Sequence, residues 1–544
     1  MKKDSKQKKD WGKTVVRAVA LLIAVFLVIT ACIPALAEGS SDSNKVANIA
    51  ITNTLSSMNP LLMDFSEAGK YSMSLAFLPL MELNRDLEFE GQLAKSITTE
   101  DNLTFTITLD ENARWSDGTP VTTADVMFTF LCMASPEAGN PSMNMYSIVG
   151  VSDDGVTESG ATEIEGIKVI DEHTMTVTTK WEMAEGTFIN NIGRYMLILP
   201  KHVLGDVPMS EMRTTSWFLK PTVVSGPYFI EDYDLNHYVH YVANENYWKG
   251  APKIKYLNIN VVQSAQLLAG LKSGEIDLIQ QTTGDILLDD YEGVKALPNV
   301  TVYAGRPITN QSIFFNVNNV PDVRIRQAFL YGLDRETILR ELVKGNGELV
   351  DAFLCSASPF YSAELGVTEY DPEKAMKLIA EAKKDGADTT LTWHVNSGDT
   401  TFVQAATFAA AMFYELGLNI EIKTVDLSTL LSIANGDEVE VLSVQYTYAP
   451  VDPYTDMSWM LSEYGWTRYV NEEVSAALLE SQAMSDMDAI REKYLFVNQT
   501  VQQDVPMVSA YILSTLGATS NRLVNAVPDV FGTFINVHEW DIAE

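Results

Sequence analysis

The sequence predicts an α/β protein of more than one domain, and three observations carry that reading. The first is alternation. Between Asp371 and Tyr446, helical and strand-like stretches take turns, an order that implies a partly parallel sheet with helices on its faces. The second is size: 544 residues with 46% hydrophobic content can fill two or three cores. The third is residues 103–109 (LTFTITL), where apolar residues alternate strictly with threonine before a turn and a capped helix.

Taken in order, the chain opens with Lys2, Lys3, Lys6, Lys8, Lys9, Lys13 and Arg17, followed by an uninterrupted apolar run over residues 18–29. A basic stretch before an apolar run of that length reads as an export signal, residues 1–37. Two processing sites compete: Ile29-Thr30-Ala31-Cys32 would leave Cys32 as a lipid-bearing N-terminus, and Ala35-Leu36-Ala37 fits cleavage before Glu38. An uncleaved anchor is the third option. Each version puts the body outside the cytoplasm, on a tether over 38–46.

A first strand is expected near 47–51, then the 103–109 strand with Leu103, Phe105, Ile107 and Leu109 on one buried face. Asp117-Gly118 makes a turn, and Thr123 is placed to cap a helix from Ala124 with Asp125 in its positive first turn. Residues 165–179 and 253–262 read as strands, and a helix over 267–273 stops near Gly274. Further on, 313–318 is a strand and 322–329 opens a helix. Then come a helix from Asp371-Pro372 to Lys383, a strand at 391–395, a helix at 400–416 and strands at 418–425 and 439–446. Helices near 472–484 and 488–503 lead to a strand at 505–513, expected to return the chain to the first lobe.

Several strings carry a resemblance. WSDGTPVTTADVMFTF (115–130) resembles the signature of the family-five extracytoplasmic solute-binding proteins of ABC importers, the oligopeptide-, dipeptide- and nickel-binding group. MNPLL (58–62), LPLMELN (78–84), LILPKH (197–202), VSGPYF (224–229) and YWKG (247–250) are similar to further phrases of that family. The resemblance runs from about Ala47 to the C-terminus. It implies a two-lobed periplasmic-binding-protein-like fold of the large, three-subdomain type II form, with a hinged ligand cleft. Lobe I would span 47–308, lobe II 309–510, and 511–544 would return to lobe I. The implied function is capture of peptides or peptide-like solutes for a membrane permease and its ATPase subunits, by a monomer that touches the membrane only through its N-terminal anchor. Nickel-chelate binding, or a sensor or hydrolase on the same fold, is the alternative.

The resemblance also bears on ligand choice. In peptide-binding members the segment matching QYTYAPVDP (445–453) carries an aspartate three positions before the D/E-P pair, where it meets the peptide ammonium. Here that position is Ala449. Asp64, shortly after Asn59-Pro60, is a candidate replacement. Tyr446 and Tyr448, at the end of a strand, are expected at the cleft, where open α/β sheets bind ligands. Trp393 is placed either in the core or against ligand, and Asp452 either caps the helix from Pro453 or contacts ligand.

Other functions find little support. With 38 basic and 72 acidic residues the net charge is −34, which disfavours nucleic acid and anionic lipid. No nucleophile elbow, zincin, Walker or dinucleotide motif occurs, so no catalytic residue, metal or cofactor is expected. His237 and His240 would point to opposite faces of a strand, and Cys132 and Cys355 read as buried small hydrophobes.

Overall fold

The computed structural model describes residues 45–543 except Phe65, Pro141, Ser142 and Ala352. The expected export signal, Cys32 and all but the last two residues of the tether lie outside the described residues. The first strand, Val46–Ile51, begins just inside the segment expected as tether.

Two sheets organise the body. A seven-stranded sheet runs in the order Val300–Ala304, Leu516–Ser520, Leu278–Ile279, Val46–Ile51, Tyr256–Val261, Tyr238–Ala243, Tyr228–Asp234. Val46–Ile51 is parallel to both its neighbours; the remaining pairs are antiparallel. A six-stranded sheet runs Gly347–Glu348, Met507–Leu513, Thr309–Phe315, Val441–Thr447, Thr390–Asn396, Asn419–Val425. Its last three strands are parallel, as the helix–strand alternation predicts. The helix Leu427–Ala434, starting from Asp426, adds to the sequence-predicted elements.

The chain crosses between these sheets at 305–308 and again at 514–515, and Gly305 N–H donates to Thr515 O at 2.8 Å. The strand expected at 505–513 is Met507–Leu513, and it pairs with Thr309–Phe315 rather than returning to the first sheet. Leu516–Ser520 makes that return. Both strands are buried along their whole length, so their apolar patterns do not distinguish one sheet from the other.

A separate four-stranded antiparallel sheet contains the threonine-alternating strand, Thr104–Leu109. Phe105, Ile107 and Leu109 are buried and Leu103 half-buried just before the strand starts. Phe105 stacks on Phe188 with centroids 4.0 Å apart, tying this sheet to the chain segment that leads to the site. The segment expected as a strand at 165–179 is a hairpin, Ile167–Val169 and Thr174–Thr178, with its turn at Asp171.

The signature is scaffold. The helix it predicts is Thr123–Met133; Thr122, not Thr123, is its N-cap, and Asp125 accepts from Thr122 N–H at 2.9 Å. The same carboxyl accepts from Lys201 N–H at 2.9 Å, and Thr129 Oγ1 accepts from Leu199 N–H at 3.0 Å, so LILPKH is stitched to the signature helix. Trp115 is fully buried. Ser116 and Val224 exchange hydrogen bonds, fixing the VSGPYF turn. A Cβ on Gly226 would lie 2.3 Å from Leu75 O, which explains the glycine. Among the described residues no helix is long and apolar enough to cross a membrane.

Candidate functional site

A cavity of about 260 Å³ lies between the two sheet-bearing parts. Glu67, Asn190, Asn191, Arg194, Tyr195 and Phe531 form one wall. Thr447, Tyr448, Ala449, Thr455 and Asp456 form the other.

The first wall is built from a capped helix and a π-turn. Ser66 caps Glu67–Ser74, accepting from Gly69 N–H, and so places Glu67 in the first turn. The short helix Glu185–Phe188 continues as a π-helical turn, Ile189–Gly193, a form frequent at functional sites. Arg194 follows it. Its guanidinium donates to Glu82 Oε1 at 2.6 Å, to both Glu67 oxygens at 3.2 and 3.3 Å and to Asn190 Oδ1 at 3.3 Å. It also lies over two rings, Phe531 at 4.8 Å and Tyr195 at 5.2 Å. Glu82 also pairs with the fully buried Lys70 at 2.5 Å. Two cations and two acids thus close on one another. Burial would raise the Glu67 carboxyl, but Arg194 and Lys70 hold it below the usual carboxylate range. Burial and the adjacent Arg194 bring the Lys70 ammonium down to about 8, against the pull of Glu82 and Glu67.

The second wall starts where Val441–Thr447 ends. Tyr448 is buried, and its hydroxyl accepts from Cys355 N–H at 2.6 Å. Asp452 occupies the N-cap position of the helix Pro453–Met460 but makes no capping bond. It reaches across the cavity edge instead. Oδ1 accepts from Thr187 Oγ1 at 2.8 Å, and Oδ2 from Asn190 Nδ2 at 3.1 Å and Thr455 Oγ1 at 2.8 Å. Asn191 Nδ2 donates to Thr455 Oγ1 at 2.9 Å. The π-turn therefore clasps the helix from the other part of the chain. Burial raises the Asp452 carboxyl despite these bonds. Asp456, one helical turn on, has no hydrogen bond or ion pair among the described residues, and burial, with the Asp452 charge beside it, pushes its carboxyl up to about 7.

The profile described as "Bacterial extracellular solute-binding proteins, family 5 Middle" matches residues 88–468, more than half the chain. The chain belongs to that family. An oligopeptide-binding protein, AppA, of Bacillus subtilis is 22% identical over 487 residues, 86% of each chain. A putative ABC transporter peptide-binding protein of Brucella melitensis is 28% identical over 561 residues, 97% of this chain and 98% of the relative. Among solved structures, NikZ from Campylobacter jejuni in complex with Ni(L-His) superposes with a TM-score of 0.74 at 21% identity, covering 91% of this chain and 99% of NikZ. At that identity the superposition shows the fold alone, and that fold is the periplasmic-binding-protein-like one.

The residues that sequence reasoning singles out in this family-five protein are scattered. Tyr448 and Ala449 line the cavity, and Asp452 sits at its edge as the clasp. Tyr446 packs behind them against Phe314 and Phe353. Trp393 is not at the cavity: it is fully buried between Phe329 and Phe402, with Nε1 donating to Ser443. The core reading wins because its strand is flanked by two others and covered by a helix. Asp64 is not at the cavity either. It is exposed, and although partial burial opposes them, the Ser66 hydroxyl and amide hold its carboxyl below the usual range.

His237 and His240 face separate partners, Asp234 and Asp232. Cys132 and Cys355 are buried, the Cys132 thiol pushed up to about 12 by burial. Glu67, Asn190, Asn191, Arg194, Tyr195, Asp456 and Phe531 are additions of the structure. One signal for Asp456 was present in the sequence: it stands four residues after Asp452, on the same helical face.

Proposed function

We propose that this chain is the extracytoplasmic solute-binding component of an ABC importer, taking peptides or peptide-like solutes into the cavity and presenting them to a membrane permease with its ATPase subunits. The observation that carries the reading is the clasp: Asp452 and Thr455 hydrogen-bond to Thr187, Asn190 and Asn191 across the edge of the cavity. The relatives named as peptide-binding proteins support the solute class. In this reading the parts carrying the seven- and six-stranded sheets are lobes I and II. Residues 305–308 and 514–515 are the hinge, and solute favours the closed form by its differential affinity for it. The chain acts as a monomer with no catalytic step. Residues 1–37 direct export, ending either in a lipid on Cys32 or in cleavage after Ala37. The mass of the mature protein separates the two.

The test is thermal unfolding of the purified mature body with short peptides and, separately, nickel chelates. A bound solute at 100 times its Kd adds about 2.7 kcal/mol of stability. Stabilisation by peptides supports the reading, whereas stabilisation by chelates alone transfers it to the nickel-chelate alternative.

A further inference from the structure

A second contact between the two parts of the chain stands apart from the Asp452 clasp and involves the four-stranded sheet. The helix Glu472–Gln482 shares, through Val474, Ala477 and Leu478, the apolar cluster of Phe314 and Leu442 in the six-stranded sheet. Its last residue, Gln482, is buried, and both of its acceptors are spent on the other part of the chain. The main-chain oxygen accepts from Asn102 Nδ2 at 2.9 Å, and Oε1 accepts from Ala184 N–H at 3.1 Å. Asn102 lies 380 residues away in the chain and Ala184 298.

Two of these groups are ones that helix ends leave open. The carbonyl is in the last turn of Glu472–Gln482, and the amide stands at the N-cap of Glu185–Phe188. The Asn102 amide is aimed by a fixed turn. Its φ is +55°, a left-handed conformation that asparagine tolerates. Asp101 Oδ1 accepts from Leu103 N–H at 3.0 Å and Thr104 N–H at 2.7 Å, and Met183 N–H donates to Asn102 O at 2.7 Å. The turn and the start of the short helix therefore meet Gln482 as one unit. When the parts separate, water can take the place of Gln482 on both donors, so the bonds open and close at small net cost.

We propose that Asn102 and Gln482 are positioning residues that form a second latch, so that closure is fixed at two points and the four-stranded sheet takes part in it. The proposal rests on the reading that the two parts hinge at 305–308 and 514–515. The latch holds Ala184 and the clasp holds Thr187, Asn190 and Asn191, spread over roughly 10 Å of one helix and its π-turn. A single point of contact leaves the two parts free to twist about it. Two points set the orientation in which the walls of the cavity face each other.

The experiment compares the solute-free mature body with three variants, by hydrogen exchange over residues 182–188 and by small-angle scattering. Asn102→Asp keeps the turn and removes the donor, Gln482→Leu removes Oε1, and Asp452→Ala breaks the clasp. Asn102→Asp does not touch the Ala184 bond, yet it should speed exchange of the Ala184 amide by roughly three- to tenfold, because the two bonds open together. Both latch variants should enlarge the radius of gyration and leave exchange in Thr104–Leu109 unchanged. If Gln482→Leu does not fold, Asn102→Asp carries the test alone. Unchanged Ala184 exchange and radius in the latch variants, with a larger radius in Asp452→Ala, overturns the latch and leaves the hinge reading standing. No change in any variant overturns both. Faster exchange in Thr104–Leu109 as well overturns the latch by showing that Asn102 only holds its own sheet together.

Discussion

The two walls of the cavity are made of the same kinds of residue and do opposite things. The Glu67–Arg194–Glu82–Lys70 wall is electrostatically complete, with every charge answered by another from the same part of the chain. The Asp452–Asp456 wall has two carboxylates and no cation; donors from the first wall satisfy one and leave the other bare. A complete network rigidifies the surface that carries it, because removing any member strands the rest. An incomplete one stores an unmet demand. The difference teaches that buried charge by itself does not mark a binding group: the charges of the first wall answer one another.

The largest way to break the comparison is Arg194→Ala. It leaves Glu67 and Glu82 facing one another with only Lys70 between them, and urea unfolding should show a loss of about 3–5 kcal/mol. A loss near zero would mean the first wall is not the closed unit described. Next is Asp452→Ala, which strands the Asn190 amide and the Thr187 hydroxyl at a cost of about 1–3 kcal/mol. Here small-angle scattering should also show a larger radius of gyration without ligand, since the clasp is gone; an unchanged radius would assign closure to other contacts.

Asp456→Asn should act in the opposite direction. A carboxyl raised from 3.8 to about 7 favours the fold fully below the ordinary value and loses that advantage as the pH rises through 7. The ligand-free variant should therefore be more stable than wild type at pH 8, by ~1–2 kcal/mol, and not at pH 4. Calorimetric melts at the two pH values check the sign, and a variant less stable at pH 8 would show that Asp456 has an internal partner. Smallest is Asp64→Asn. It weakens the bonds from Ser66 near the start of the Glu67–Ser74 helix by about 0.5 kcal/mol, with solute affinity unchanged. A fall in affinity would restore Asp64 as a ligand group.

How much was legible in the sequence follows the range of the interactions. The Thr104–Leu109 strand, the Thr123–Met133 helix and the parallel strands of the second sheet were readable because periodicity and capping are local. Trp393 was ambiguous because an indole suits a core and a ligand face equally, and only the position of its strand inside the sheet decides. Asp452 was ambiguous in the same way: position made it a helix cap, and the approach of Thr187 and Asn190 made it a clasp. Arg194 and its two acids had no sequence signal, because Glu67 and Glu82 lie more than 110 residues before it.

The sequence by itself determined the family, the α/β alternation, and the scaffold strings that pin the signature helix, since these rest on residues close together or on literal motifs. The tertiary structure alone decided where the second crossing falls, which acids meet a partner and which stays bare. The physical reason is that a carboxylate's role depends on what is brought within about 3 Å of it. For Asp452 two of the three donors, Thr187 and Asn190, lie more than 250 residues away in the chain.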